Sequence, residues 1–308
     1  MMRKCPITYQ LSQDKYSKPG LAKLSPQLSD LQDLPFTAQE QRQEAAALAA
    51  KMSIQGVQPK LSAKLSVTKQ AFEVVDNGGT FIIKPQNDLY KEVPENEDVT
   101  MKMAQAFGIE VPLTGLVYSK DGSLSYFIKR FDRYGRNKKN HLEDFAQLTG
   151  NTRETKYKWS MEKLIPVIEK HCTFPVIEKR KLFRRVLFCF LTGNEDMHLK
   201  NFSLITQEDK ITLSPAYDLL NSTIAMGTAI EEMALPLAGK KSKFKKEHFF
   251  EYYAQDKLQL TKKTIVAEHQ HLVDKKKELE HWINISFLSE EMKEQYLHLM
   301  EGRYKRLI

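Results

Sequence analysis

The chain has 308 residues, 41% of them hydrophobic and 28% charged, which is enough to bury a substantial core or two domains. Its 47 basic against 39 acidic residues leave a net charge of +8, suited to anionic partners (nucleotide, nucleic acid or an acidic protein) without choosing among them; the lack of a long apolar run or apolar leader argues against a membrane span or a secretory signal. Cys5, Cys172 and Cys189 stand too far apart for a zinc site or a disulfide framework, so a reducing cytoplasm is expected.

Residues 1–50 begin irregularly through the turn-rich Tyr16-Ser17-Lys18-Pro19-Gly20. A helix is predicted after Pro35-Phe36, with Thr37 as N-cap, Glu40 at the capping-box position and an Ala-rich run continuing to Lys51. Met52-Ser53-Ile54-Gln55-Gly56-Val57-Gln58-Pro59-Lys60-Leu61 follows, and its single glycine read alone is a turn before a strand. It precedes a predicted meander of Leu61–Val67, Ala71–Val75 and Thr80–Lys84, with Asn77-Gly78-Gly79 as the last turn. A sheet that opens with a glycine loop and carries a lysine late in a following strand is the kinase arrangement. Lys84, closing the apolar Phe81-Ile82-Ile83, is therefore the natural phosphate ligand, the plainer reading being a surface lysine at a strand end. Glu95-Asn96-Glu97 then opens a helix running through Met101, Ala104 and Phe107 to a Gly108 C-cap. Its acidic first turn suits the helix dipole; alternatively Glu97 pairs with Lys84, as the corresponding helix glutamate does in kinases.

Gly115–Tyr118 and Ser125–Lys129 flank the Asp121-Gly122 turn as a further hairpin. The extended Lys129-Arg130-Phe131 beyond it is placed where a kinase hinge would meet adenine through backbone groups. Pro175 to Gly193 is the strongest helix of the chain, with Phe183, Val186, Leu187, Phe190 and Leu191 on one apolar face and Arg180, Arg184 and Arg185 off it, expected in solvent. This helix delivers Asn194-Glu195-Asp196-Met197-His198-Leu199-Lys200-Asn201, in which Asp196 and Asn201 have the spacing of the Asp and Asn in a protein-kinase catalytic loop. Phosphoryl transfer needs a carboxylate to orient and deprotonate the attacking hydroxyl, and Asp196 can supply it. It also needs a neutral oxygen and a second carboxylate for Mg2+, which Asn201 and Asp218 can supply. Phe202–Ile205 and Ile211–Leu213 are predicted as a hairpin that folds Asp218 back beside Asn201, and His198 and Lys200 lie where either can meet phosphate charge. Asp, Asn and His after a helix are also common caps and turn formers. The ordered set of apolar helix, Gly, Asp, Asn, hairpin and Asp favours the chemistry.

Beyond Asp218, Ala234–Leu237 is predicted as a strand and Gly239 as a turn. The run Lys240-Lys241-Ser242-Lys243-Phe244-Lys245-Lys246 reads as a solvated loop, or else as a dock for RNA or an acidic protein. Lys262 onward reads as charged amphipathic helix with Trp282, Ile285 and Phe287 as packing residues.

Gly193-Asn194-x-Asp196-x-His198-x-Lys200-Asn201-Phe202-Ser203, followed by Tyr217-Asp218-Leu219, resembles the HipA family of bacterial serine/threonine kinases, the toxins of toxin–antitoxin modules. Ser53-Ile54-x-Gly56-x-Gln58-x-Lys60 is similar to that family's nucleotide loop, and Lys129-Arg130-Phe131-Asp132-Arg133 to its hinge, with a lysine where glutamate is commoner. His141-Leu142-Glu143-Asp144-Phe145 is similar to a further family segment, expected to start a helix. The resemblance extends over nearly the whole chain. It implies ATP and Mg2+ as cofactors, with Gln55, Gly56, Val57, Gln58, Lys60, Lys84, Lys129, Arg130, Phe131, His198, Lys200, Asn201, Tyr217 and Asp218 as the nucleotide-binding set. Within it Asn201 and Asp218 would hold the metal, and Asp196 would be the catalytic base. Ser53 takes the place of the family's autophosphorylated loop serine, and Gln55 stands where short members can show a second one. A phosphate on Ser53 would add roughly −1.5 to −2 charge beside the loop that wraps ATP, an off-switch. Full-length HipA proteins carry a further segment before the kinase core, so this chain is expected to be of the short HipT type, with a separate small HipS-like protein supplying that piece. The family also implies a HipB-like DNA-binding antitoxin as partner. For a short member it implies an aminoacyl-tRNA synthetase as substrate, tryptophanyl first and glutamyl second, with no direct nucleic-acid binding.

The expected architecture is α+β, a two-lobed protein-kinase-like fold with a mixed-sheet N-lobe over 1–131 and a mainly helical C-lobe over 132–308. Two other classes stay open. The D-x-H-x-x-N core is also similar to the catalytic loop of phosphoinositide lipid kinases, but no amphipathic stretch offers an obvious membrane face. A non-catalytic module binding nucleic acid or protein through residues 240–246 is disfavoured by the intact Lys84, Asp196, Asn201 and Asp218.

Overall fold

Leu61, Ala63, Phe81, Ile83 and Phe127 fall on one face of a five-stranded antiparallel sheet by their cross-strand pairing, and all are buried in one apolar cluster. The computed structural model that shows this describes residues 2–51, 59–135, 138–152, 154–227 and 231–308. Ser53, Gln55, Gly56, Val57 and Gln58 lie outside the described residues. The chain divides into two compact units. The first comprises Met1–Val99, Pro112–Arg133 and Ile285–Leu288; the second comprises Thr100–Val111, Tyr134–Asn284 and Ser289–Ile308.

The first unit opens with a two-residue ladder, β1 (Arg3–Lys4) with β2 (Leu11–Ser12), then α1 (Lys18–Leu24) and α2 (Ala38–Lys51). Helix α2 starts at the predicted capping box: Thr37 Oγ1 accepts from the Glu40 amide at 3.1 Å and Glu40 Oε2 from the Thr37 amide at 2.7 Å. The sheet follows as β3 (Leu61–Ser66), β4 (Ala71–Val74), β5 (Phe81–Lys84), β6 (Thr114–Tyr118) and β7 (Leu124–Lys129), in the order β4-β3-β5-β7-β6. Its aromatic centre is Phe72, Phe81 and Phe127, with Phe72 5.1 Å from Phe81 and 5.2 Å from Phe127 between ring centres. Gly115, paired with Phe127, must stay a glycine, because a Cβ there would sit 2.6 Å from the Phe127 ring. The N-terminal segment, read as irregular from sequence, packs along the β6 edge. Leu34 N donates to Tyr118 O at 2.8 Å, and Cys5, Ile7, Tyr16 and Leu21 join the core on this face. The opposite face carries Lys84, Tyr126 and Leu116, and α3 (Val93–Ala106) runs on from this unit into the second.

In the second unit, the short ladder β8 (Arg133–Tyr134) and β9 (Lys138–Lys139) precedes β10 (His141–Asp144), which pairs antiparallel with β11 (Ser203–Gln207) and through it with β12 (Lys210–Leu213). The segment His141–Asp144 is therefore a strand. The helix expected there, α4 (Phe145–Leu148), begins one residue later, with Asp144 capping it through the Gln147 amide at 2.8 Å. Helices α5 (Leu164–His171) and α6 (Pro175–Leu191) follow, then α7 (Ser222–Met226), a π-helix over His248–Lys257, α8 (Lys262–Ile285) and α9 (Glu290–Tyr304). Phe190 of α6 stacks on Phe249 at 4.7 Å, Phe183 on Phe250 at 5.6 Å and Phe188 on Phe107 at 5.5 Å.

Three expectations need correction. The strand over Ala234–Leu237 is absent; only a single bridge joins Leu237 to Lys240, because Ala238 and Gly239 in succession take left-handed φ of 52° and 70° and close a turn. The C-terminal helix is two helices, since Ile285–Leu288 belongs to the first unit, where Phe287 meets Tyr9 at 5.3 Å and Lys4 Nζ donates to Ser286 O at 2.7 Å. Of the α6 arginines only Arg180 stays largely in solvent as expected, while Arg184 and Arg185 do not. Arg185 is buried and donates to Ser214 O at 2.6 Å, with burial lowering its guanidinium to about 10. Arg180 and Arg184 close on Glu268 of α8 at 2.6 and 2.7 Å, and Glu268 is 1% exposed. Beyond its exposed first turn, α6 is covered on more than its apolar face, so Arg184 and Arg185 find protein partners. Glu268→Ala would leave the Arg184 guanidinium without its carboxylate in the α6–α8 contact. A loss of about 2 kcal/mol is expected in guanidinium-induced unfolding of the full chain.

Candidate active site

Lys84 ends β5 on the face turned away from the Phe72–Phe81–Phe127 cluster. A lysine buried this deeply must be paired, and its Nζ lies 2.7 Å from Oε1 of Glu97 on α3, both side chains being almost wholly buried. Tyr126, opposite Lys84 on β7, holds its ring 5.6 Å from the same ammonium. The pairing raised from the sequence is thus formed. Two residues earlier on α3, Glu95 accepts from Gln86 Nε2 at 2.8 and 2.9 Å, and burial, with smaller pushes from Glu92 and Asp98, raises its carboxyl to about 7. Lys60 stands exposed just before β3.

The second unit holds the loop. Helix α6 ends at Leu191, and Gly193 turns the chain in a left-handed conformation, φ 72°, where an added Cβ would come 2.6 Å from Asn221 Oδ1. The loop is then tied to the start of α7: Ser222 Oγ and Thr223 Oγ1 both donate to Gly193 O at 3.2 Å, and Glu195 N donates to Ser222 Oγ at 2.7 Å. Asn194 Oδ1 accepts from the Asp196 amide at 3.1 Å. Asn201 Nδ2 donates to the Asp196 carbonyl at 2.8 Å, and Asn201 N donates to His198 O at 2.9 Å, which brings the two ends of the Asp–Asn motif together. With its NH2 used in this way, the Asn201 side chain keeps its carbonyl oxygen for a cation. The β11–β12 hairpin leads to Asp218, half-buried and held at a left-handed φ of 54°, an uncommon conformation for a residue other than glycine. Tyr217 Oη donates to Lys200 O at 3.0 Å and also bonds Ser203 Oγ, so its hydroxyl braces the loop from the hairpin side; burial pushes its pKa up.

A contact not anticipated from the sequence covers Asp196. Tyr157 Oη donates to Asp196 Oδ1, and the Tyr157 ring stands edge-on to His198 at 5.0 Å. Lys156 Nζ lies 2.7 Å from His198 Nε2. An ammonium only donates, so Nε2 accepts and the imidazole carries its proton on Nδ1. Burial lowers the His198 pKa; Lys156 adds to that, while Asp196 and Asp218 pull the other way. The buried Nδ1 has no hydrogen-bond partner among the described residues. Nothing in the spacing of Lys156-Tyr157 marks these residues, because the segment reaches Asp196 only through the tertiary fold.

The hinge expectation is only partly accommodated. The Lys129 amide is used by Leu113 O at 2.9 Å and the Arg130 amide by Thr80 O at 2.8 Å, while the Arg130 guanidinium holds Asp132 at 3.0 and 3.1 Å. Among the described residues no group of three His, Cys, Asp or Glu side chains is gathered for a metal, and no helix is long and apolar enough to cross a membrane.

An antiparallel sheet whose lysine pairs with a helix glutamate, together with a mainly helical unit presenting an Asp–Asn loop and a following Asp, defines a two-lobed protein-kinase-like fold. The chain belongs to the HipA-like C-terminal domain family, whose profile matches residues 52–280. It is 32% identical over 256 residues to a candidate kinase of Haemophilus influenzae, with 73% of this chain and 69% of that protein covered. It is 29% identical over 192 residues to the serine/threonine-protein kinase toxin HipA of Shewanella oneidensis, of which it spans 43% while 56% of this chain is covered. Among solved structures it is similar to HipA in the Shewanella oneidensis complex of HipA, HipB and operator DNA (TM-score 0.70, 21% identity, 91% of this chain and 72% of that one). It is also similar to the Helicobacter pylori proinflammatory kinase CtkA (TM-score 0.53, 16% identity, 73% and 86%).

Two predictions follow from this geometry. Gly193→Ala would meet both the left-handed backbone and Asn221, costing about 1–3 kcal/mol in thermal or chemical unfolding and loosening the Asp196 loop. Glu95 has a folded pKa above its unfolded value, so its contribution to stability is present at low pH and lost as pH rises through about 7. Glu95→Gln should therefore remove roughly 2–3 kcal/mol of the change in unfolding free energy between about pH 5 and 8.

Proposed function

We propose that this chain is an ATP- and Mg2+-dependent serine/threonine protein kinase acting as the toxin of a bacterial toxin–antitoxin module. The observation that carries the reading is the Lys84–Glu97 pair. A buried ion pair is weak evidence for stability, since desolvation offsets much of its attraction. The Lys–Glu pair of a sheet lysine and a helix glutamate is, however, what a kinase needs to present a cation to nucleotide phosphates. The donor set of the second unit fits the same chemistry. Mg2+ takes one or two carboxylates and completes its shell with phosphates and water, so Asp218 with the Asn201 carbonyl suffices. The orphan Nδ1–H of His198 is a donor suited to a phosphate oxygen.

In this reading ATP with Mg2+ supplies the transferred phosphoryl group and the charge that neutralises it. Asp196 accepts the acceptor hydroxyl's proton. Lys84, with Lys60, Lys200 and His198, holds phosphate charge, and Asn201 and Asp218 bind metal. Tyr217 acts by bracing the loop. Lys129, Arg130 and Phe131 would border the base, with the Lys129 and Arg130 amides already donating to Leu113 and Thr80. Gln55, Gly56, Val57 and Gln58 would form the phosphate loop, with Ser53 as the site of self-phosphorylation. A HipB-like antitoxin is the proposed partner, consistent with the HipA, HipB and operator DNA complex to which the fold is similar. A HipS-like protein and an aminoacyl-tRNA synthetase substrate, tryptophanyl before glutamyl, complete the proposal. Direct nucleic-acid binding through the basic run is not part of it. Lys241 pairs with Glu231 at 2.9 Å, Lys246 donates to Ile308 O at 3.2 Å and Lys240 Nζ lies 3.3 Å from His248 Nε2.

The test is mass spectrometry of the full chain incubated with ATP and Mg2+. Phosphate on Ser53 is expected in the wild type, with the rate lowered about 10²–10⁴-fold in Asp196→Ala. Equal labelling of both proteins would remove Asp196 as the base.

A further inference from the structure

A hydroxyl donating to the catalytic carboxylate is the arrangement that a serine or threonine acceptor must reach before its proton can be taken. In this chain Tyr157 Oη already holds it, on Asp196 Oδ1. The contact is fixed from several sides. The ring packs edge-on against buried His198, Lys156 Nζ sits 4.8 Å over the ring and 2.7 Å from His198 Nε2, and Leu199 N donates to Lys156 O at 3.4 Å. The turn is closed on itself by Lys158 N to Thr155 O at 2.8 Å and by Thr152 N to Thr155 Oγ1 at 2.9 Å.

Stability alone does not call for this arrangement. The Asp196 side chain is 52% exposed and water can satisfy its oxygens, so a tyrosine there replaces solvent rather than rescuing a buried charge. Nor does Tyr157 belong to a large core, being itself 41% exposed. Its hydroxyl competes for the oxygen that the acceptor must use, and the ring covers the approach beside His198.

We infer that Tyr157 fills the acceptor subsite of the resting protein, so that an incoming serine or threonine hydroxyl reaches Asp196 only by displacing residues 155–158. The inference rests on Asp196 being the base of the proposed kinase. Tyr157 is then a positioning residue that competes with the acceptor and leaves the nucleotide alone. The proton it donates stays on the tyrosine, and no bond is made or broken in the exchange of one hydroxyl for another. Displacing the turn also breaks the Lys156–His198 contact.

The experiment is steady-state kinetics on the full chain, wild type beside Tyr157→Phe, with myelin basic protein as the acceptor and ATP-Mg2+ as the donor. Losing a hydrogen bond to a charged acceptor should lower the KM for the protein acceptor about tenfold while the KM for ATP stays fixed. Lys156→Gln, which removes the ammonium from the Tyr157 ring and from His198 while keeping the tyrosine hydroxyl, should move the acceptor KM in the same direction. In wild type, saturating acceptor should raise amide deuterium uptake in peptides spanning 155–160. An active wild type whose Tyr157→Phe variant has the same or a higher acceptor KM overturns the inference and leaves the kinase reading standing. Phosphate found on Tyr157 also overturns it, since the residue would then be an acceptor in its own right. A wild type that binds nucleotide yet phosphorylates neither this acceptor nor itself removes the kinase reading and the inference together.

Discussion

Helix α6 has to stop at Leu191 and release the chain sharply, and the loop of the second unit depends on that ending. Its length is set by an apolar face that packs along Phe107, Phe249 and Phe250, so the last turn arrives at a fixed place. The left-handed Gly193 then redirects the backbone, and its carbonyl becomes the anchor for Ser222 and Thr223 at the start of α7. Asp196 and Asn201 are positioned by a hydrogen-bonded loop whose two ends are both held, rather than by their own packing. A functional carboxylate that is half in solvent gains its geometry in this way from backbone groups.

Charges buried away from that loop obey one rule: each has a partner, and the partner reveals the role. Glu268 lies between Arg180 and Arg184, and Arg185 ends on a backbone carbonyl; these ties join α6 to α8 and to the hairpin end, where no ligand is needed to explain them. Lys84 with Glu97 differs, because the lysine belongs to a strand whose other side chains are apolar and could have been apolar itself. Replacing a buried pair by hydrophobic residues is often neutral or stabilising. Keeping a pair at that position makes sense when the ammonium has a further anion to meet.

Much of this architecture was legible in the sequence where periodicity and local chemistry agree. The Thr37–Glu40 capping box, the three strands between Leu61 and Lys84, the hairpin around Asp121-Gly122 and the apolar face of α6 are local signals that form as read, but the three strands are not the expected meander, because β3 lies between β4 and β5 and Asn77-Gly78-Gly79 crosses over it. The first fifty residues were opaque because Cys5, Ile7 and Tyr16 carry no period; their burial comes from the edge of a sheet more than fifty positions away. The strand at His141–Asp144 was missed for the same reason, its partner β11 lying beyond α6. Arg184 and Arg185 were misjudged because a charge off the apolar face looks solvated until other elements of the fold cover it. Tyr157 is the sharpest case, since a tyrosine in a polar turn offers no cue that its hydroxyl will end on Asp196.

The metal chemistry follows from what the loop leaves incomplete. Asn201 offers one neutral oxygen and Asp218 one carboxylate, and among the described residues no third His, Cys, Asp or Glu completes a cage. Mg2+ loses water reluctantly and is poorly held by so few protein donors, but phosphate oxygens and retained waters fill the remaining positions. In the proposed kinase, metal and nucleotide would therefore bind as one unit, each weak without the other. The left-handed φ of 54° at Asp218 fits that dependence, because the backbone after the hairpin is set in an uncommon conformation while Tyr217 braces the neighbouring loop at Lys200. Preorganising two ligands and borrowing the rest would let the proposed kinase bind the metal tightly only when the substrate that needs it is present.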